Sequence, residues 1–194
     1  MRQFVVIGHE APTTPDFSLD DLAGGAGRLD VLCRCVNAAF FLSHDIRTDV
    51  RTHLVLGEYT VSFDGGNLSR LNPDERSTAA LVRTALESRE ETVGAIPVET
   101  TPGVSITRRD LATVLSDLGP VVHLHEDGRP LPEWDPAPDP AFVLSDHRDF
   151  TDRETELVAA RRDARIRVGP RAVHADHAIT IAHHYLDTDG YATV

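Results

Sequence analysis

The feature that most restricts the fold of this chain is the alternation of brief, almost wholly apolar runs with longer segments of helical period. Residues 2–8 and 52–57 read as buried strands, and 121–125, 141–144 and 165–168 as further strands. Between them, Val31 to Leu42 carries apolar residues at 31, 32, 35, 36, 39 and 40, the spacing of one helical face. Asn72-Pro73-Asp74-Glu75 starts a helix to about Arg89, and Thr107 is placed as the cap of another reaching about Leu118. Thr151-Asp152-Arg153-Glu154 has the form of a capping box, and Asp176 to Leu186 closes the chain as a helix. A hairpin is expected at Tyr59–Phe63 running into the turn Asp64–Asn67, and residues 128–140, with five prolines, read as a loop. Strands alternating with helices predict an α/β domain with a mainly parallel sheet covered on both faces.

A length of 194 residues suits one such domain, and 41% apolar residues suffice for an ordinary core. No stretch reaches the roughly 18 consecutive apolar residues of a membrane span, and the N-terminal run reads as a first strand, so a cytoplasmic protein without a membrane partner is expected. The net charge is −12, and all 19 basic residues are arginine. An acidic, lysine-free chain suits a salt-saturated cytoplasm, where carboxylates keep the surface hydrated. At molar salt the Debye length falls to about 3 Å, so net acidity does not exclude RNA gripped locally by arginine.

Several motifs carry competing readings. Gly24-Gly25-Ala26-Gly27 lacks G-x-G-x-x-G spacing and does not directly follow a strand, so it is a poor dinucleotide fingerprint. A turn that lets the backbone approach a substrate, or a plain structural turn, are the readings left. The histidine pairs at 123/125, 174/177 and 183/184, with Cys33 and Cys35, match no known zinc spacing, so no metal is expected. The two cysteines are expected to stay reduced. Ser145-Asp146-His147 is contiguous and cannot form a hydrolase triad.

Asp30, Arg34 and Asn37 fall at i, i+4 and i+7 beside Arg28, on one helical face. An acceptor, a bidentate donor and an amide could read a nucleobase and hold its phosphates, although an ion-paired, solvated face would look the same. Farther on, the strands near 121–125, 142–144 and 166–168 end in His125-Glu126-Asp127-Gly128, Ser145-Asp146-His147 and Gly169-Pro170-Arg171. Three such loops on one edge would form the ligand crevice of an open α/β sheet.

The run Gly27-Arg28-Leu29-Asp30, Arg34-Cys35-Val36-Asn37 and Ser43-His44-Asp45-Ile46-Arg47 resembles the N-terminal signature of the TrmY family of archaeal RNA methyltransferases, of the SPOUT class. The blocks Val143 to His147, Arg167 to Pro170, Asp176 to Ile179 and His183 to Asp187 resemble its C-terminal motif, and the match spans nearly the whole chain. The resemblance implies a single domain over residues 1–194, a deep trefoil knot formed by about 120–194, and a homodimer. It implies S-adenosylmethionine bound by His123, Leu124, Ser145, Asp146 and His147, and by Val168, Gly169, Pro170, Val173, Ala175 and Ala178. Ser145 stands where the family commonly has glycine and Ala178 where it commonly has cysteine, so no cysteine at 178 can take part in the reaction.

The implied reaction is methylation of N1 of pseudouridine at position 54 in the T loop of tRNA. Asp30 is the candidate to accept the N1–H and Arg28 to orient the substrate, with Arg34, Asn37, Ser43, His44 and Arg47 as RNA contacts. Another SPOUT enzyme acting on rRNA or a 2′-hydroxyl, or a non-catalytic knotted RNA-binding protein, are the alternatives. DNA is not an expected partner.

Overall fold

The computed structural model describes residues 1–193. Its centre is an eight-stranded sheet with spatial order β4-β5-β3-β2-β1-β7-β6-β8. The strands are β1 (Arg2–Ile7), β2 (Val50–Leu56), β3 (Tyr59–Asp64), β4 (Val98–Thr101), β5 (Val104–Thr107), β6 (Val121–Pro130), β7 (Ala141–Ser145) and β8 (Ala164–Arg167). The helices are α1 (Leu29–Phe40), α2 (Glu75–Glu87), α3 (Leu111–Asp117), α4 (Asp152–Arg161) and α5 (Ala175–Asp187). From β2 through β1, β7 and β6 to β8 the sheet is parallel, as expected. Toward β4 it is antiparallel, so the sheet as a whole is mixed.

Period-two alternation divides the core. Phe4 and Val6 face a larger cluster built with α1, α2 and α5, whereas Val5 and Ile7 face a smaller one capped by α3 and α4. Both faces of β1 are therefore buried from Phe4 to Ile7, which is why those four residues are a continuous apolar run. Among the described residues no helix is long and apolar enough to cross a membrane.

Three local expectations change. Thr107 ends β5 rather than capping a helix; the cap of α3 is Asp110, whose side chain accepts from the Thr113 N–H at 3.0 Å. The β4–β5 hairpin was not anticipated, because Val98-Glu99-Thr100-Thr101 has little apolar content and sits at the sheet edge. The proline-rich loop begins later than 128, since β6 runs to Pro130. In contrast, the Thr151–Glu154 capping box forms with both reciprocal bonds.

β6 pairs with β8 in two registers. Ile166 lies opposite Leu124 and again opposite Arg129, so residues 125–128 loop out around it. Gly128 permits this approach: a Cβ there would lie 2.3 Å from the Ile166 carbonyl carbon.

Candidate functional site

The carboxyl ends of β7, β6 and β8 lie side by side, and their loops enclose a cleft of about 630 Å³. Within β6 it is lined by Leu124, His125 and Glu126, where residues 125–128 loop out; at the end of β7 and beyond, by residues from Leu144 to Asp149, including Ser145, Asp146 and His147. After β8 it is lined by Val168, Gly169, Val173 and His174, then by Ala175 and Ala178 of α5. Arg28 reaches the same cleft from the loop before α1. Of the residues expected here, Pro170 is outside the lining, and buried His123 faces a smaller cavity alongside. Ala178 is 6% exposed and adds only a methyl to the wall; the Ser145 hydroxyl donates to the Arg148 carbonyl and braces its own loop.

Arg28 has left-handed backbone geometry, φ 62° and ψ 32°, unfavourable for a residue with a Cβ. The turn before it is equally constrained. Gly27, at φ 53°, packs so closely on the chain after β1 that a Cβ would lie 1.7 Å from the Glu10 carbonyl oxygen. This glycine thus serves a close approach to the protein's own backbone, and that approach delivers Arg28 to the cleft.

Arg28 forks onto Asp30, Nε to Oδ1 at 3.0 Å and Nη2 to Oδ2 at 3.1 Å, and Arg34 adds Nη1 to Oδ2 at 2.8 Å. Burial raises the Asp30 pKa, but the bonds from Arg28 and Arg34 outweigh it and hold the carboxyl below the ordinary carboxylate range. Asp30 is 6% exposed and lies behind Arg28, outside the cleft lining.

The remaining candidates from the 28–47 segment divide in two. Arg34 also donates to Glu75 at 3.2 Å and lies 3.7 Å from Asp176, tying α1 to α2 and α5. Asn37 accepts from the Thr78 hydroxyl at 2.9 Å, and Arg47 forks onto Asp187 at the end of α5. These three have internal partners, whereas Ser43 and His44 are exposed in the loop after α1. Cys33 and Cys35 are free and buried, and burial pushes both thiols up. Among the described residues no three His, Cys, Asp or Glu side chains converge as a metal site.

Sequence reasoning missed His9. The His9 backbone N–H donates to Asp146 Oδ2 at 2.8 Å, and its Nδ1 lies 2.9 Å from Asp146 Oδ1. On the far side Nε2 lies 2.9 Å from Glu154 Oε2, an oxygen that also closes the α4 capping box. Each ring nitrogen faces a carboxylate oxygen, so each must carry a proton: the site requires an imidazolium. Burial lowers the His9 pKa, but the bonds to Asp146 and Glu154 outweigh it, and the result is above the ordinary value. The signal available was a polar Gly8-His9-Glu10 directly after the first buried strand, where the carboxyl end of β1 meets that of β7.

An open α/β sheet with its cleft at the carboxyl ends of parallel strands is a ligand-binding fold in which the loops carry the specificity. The same fold occurs in the crystal structure of Archaeoglobus fulgidus Nep1 bound to S-adenosylhomocysteine, with TM-score 0.67 over 98% of this chain and 99% of that one at 13% identity. Residues 1–191 match the family model described as "Putative SAM-dependent RNA methyltransferase", and the chain belongs to that family. A protein of Haloferax volcanii named tRNA (pseudouridine(54)-N(1))-methyltransferase is 67% identical over 99% of both chains. Proteins of the same name from Halobacterium salinarum, 57% identical over 98% of both chains, and Methanocella arvoryzae, 45% identical over 93% of this chain and 96% of that one, are also similar.

Proposed function

We propose that this protein transfers a methyl group from S-adenosylmethionine to N1 of pseudouridine 54 in the T loop of tRNA, as the names of its relatives indicate for them. The observation that carries the reading is the arrival of Arg28, paired with Asp30, at the cleft formed by the three C-terminal loops. The donor cleft and the Arg28 guanidinium, with Asp30 directly behind it, thereby adjoin.

The cleft fits the donor in size and chemistry. Backbone and small side chains at Gly169, Ala172, Ala175 and Ala178 leave room for a nucleoside, and Leu124, Leu144 and Val168 offer apolar contact. We assign donor binding to the loops after β6, β7 and β8, including Ser145 to His147 and Val168 to Val173. When bound, S-adenosylmethionine supplies an electrophilic methyl on sulfonium.

The protein's contribution is then orientation. Asp30 sits behind Arg28, so a base reaches it only once Arg28 swings off it; the carboxylate, kept ionised by Arg34, then accepts a hydrogen bond from the pseudouridine N1–H, a donor that uridine lacks at that position. Its low pKa makes it an acceptor that aligns and polarises the N1–H; the proton itself leaves to solvent. Arg28 fixes the ring from the cleft side, and the target base must leave its stack to reach it. Exposed Ser43 and His44, in the loop after α1, are assigned to RNA contact.

The knot, homodimer and cytoplasmic location belong to the same proposal. The looping of residues 125–128 around Ile166, permitted by Gly128, supports a β8 segment threaded through an upstream loop. The decisive experiment is mass spectrometry of tRNA carrying either uridine or pseudouridine at position 54. Methylation of pseudouridine alone is expected; equal methylation of uridine would refute the N1 assignment.

A further inference from the structure

A second cavity, of about 240 Å³, opens beside the cleft between the ends of β6 and β7 and helix α4. Leu124, His125, Ser145 and Asp149 line both, so the two spaces adjoin across these residues. The smaller one has polar groups without partners. Half-buried Arg162 lines the cavity, and its side chain makes no hydrogen bond or ion pair among the described residues. Arg165 donates from Nη2 to His125 at 2.7 Å and lies 3.7 Å from exposed Asp127, but its Nε is buried without an acceptor. His123 is 3% exposed, stacked on Phe150, and its Nδ1 has no partner. Burial first, and then the positive charges of His125, Arg165 and Arg162, push His123 down to about 3.

Unpartnered buried donors are rare in native proteins because each loses its hydration without return. Two arginines converge here in a chain of net charge −12, and Asp149 is the one carboxylate in the lining. Phe150, Ala159 and Leu124 supply apolar wall. An occupant should therefore have a short aliphatic stem ending in a carboxylate and an ammonium.

We propose that this side cavity receives the amino-acid tail of the methyl donor, with its carboxylate on Arg162 and Arg165 and its ammonium on Asp149. The nucleoside remains in the larger cleft, and the donor bends across Leu124 and Ser145, which the two spaces share. The proposal rests on the donor reading above and adds residues that no sequence motif marked.

Calorimetry with two ligands tests it, using S-adenosylhomocysteine, which keeps the tail, and 5′-methylthioadenosine, which lacks it. The wild-type protein should bind the first at least about tenfold more tightly, the range expected of a charge-assisted contact. Arg162→Gln and Arg165→Gln should each weaken S-adenosylhomocysteine about tenfold and leave methylthioadenosine unchanged, which also reports that the cleft is intact. Equal wild-type affinities, or variants that weaken both ligands alike or neither, would overturn the tail assignment while leaving the donor cleft in place. If neither ligand binds the wild-type protein, the donor reading falls and the tail assignment with it.

Discussion

Replacing His9 by glutamine should cost stability in a pH-dependent way, and the structure sets both size and sign. The His9 side chain is 10% exposed, that of Asp146 1% and that of Glu154 19%, so both carboxylates meet the imidazolium largely out of water. Two charge-assisted bonds of 2.9 Å are at stake, each worth about 1.5–3 kcal/mol. The loss is bounded by what remains: Asp146 keeps the His9 and Arg148 backbone N–H groups, and Glu154 keeps Thr151. We therefore expect about 2–3 kcal/mol at pH 6, at or below the cost of removing one partner of a fully buried ion pair.

The sign follows from proton binding. The folded-state pKa of His9 lies above its unfolded value of about 6.5, so the folded protein holds the proton more tightly. Its contribution is complete below about pH 6.5 and is lost as pH rises through the folded value, at no more than about 1.4 kcal/mol per pH unit. His147, 3.5 Å from both Asp146 and Glu10, and the nearby Arg28 and Arg148 also face this carboxylate cluster and are present in wild type and variant alike. Urea unfolding in molar potassium chloride at pH 6 and pH 9 measures it. The stability gap between wild type and His9→Gln should narrow at the higher pH. A gap of equal size at both would refute the imidazolium bridge, whatever the absolute loss.

Three further outcomes are expected. Arg28→Gly should be more stable than Arg28→Ala by about 1 kcal/mol in thermal unfolding, because φ is 62° at that position, while both lose methyl transfer. Gly27→Ala should lose at least about 3 kcal/mol, since strain at φ 53° is joined by the clash with Glu10; Gly94→Ala, at φ 56° with nothing within 4 Å, should lose about 1 kcal/mol. Asp30→Asn should lower turnover on pseudouridine-containing tRNA by about 100-fold while leaving S-adenosylhomocysteine affinity intact. Near-normal turnover would remove Asp30 from the mechanism. Because the Asp30 pKa is depressed, its ionisation should leave no inflection in the wild-type rate between pH 6 and 9.

The elements readable in the sequence are those whose burial pattern is local. β1, β2 and β7 each hold a continuous apolar stretch (Phe4–Ile7, Leu54–Leu56 and Ala141–Leu144) because both faces of the central sheet are covered, and α1 shows its stripe because one side packs on that sheet. The three C-terminal loops could be placed on one edge because parallel strands put their carboxyl ends together. What depended on contacts distant in sequence could not be read. β4 is a short edge strand with polar residues, so neither period nor propensity marks it. His9 meets Asp146 and Glu154 across 137 and 145 residues, and Arg162 looks like any exposed helix-end arginine until His123 and Arg165 are brought beside it. The 28–47 segment shows the same limit from the other side. Its polar residues do share a helical face, but Arg34 and Asn37 meet α2 and Arg47 meets α5, so much of an apparent RNA-reading surface braces the protein itself. Arg28 lines the cleft instead, from a left-handed backbone turn that follows Gly27, whose close approach to Glu10 leaves no room for a Cβ.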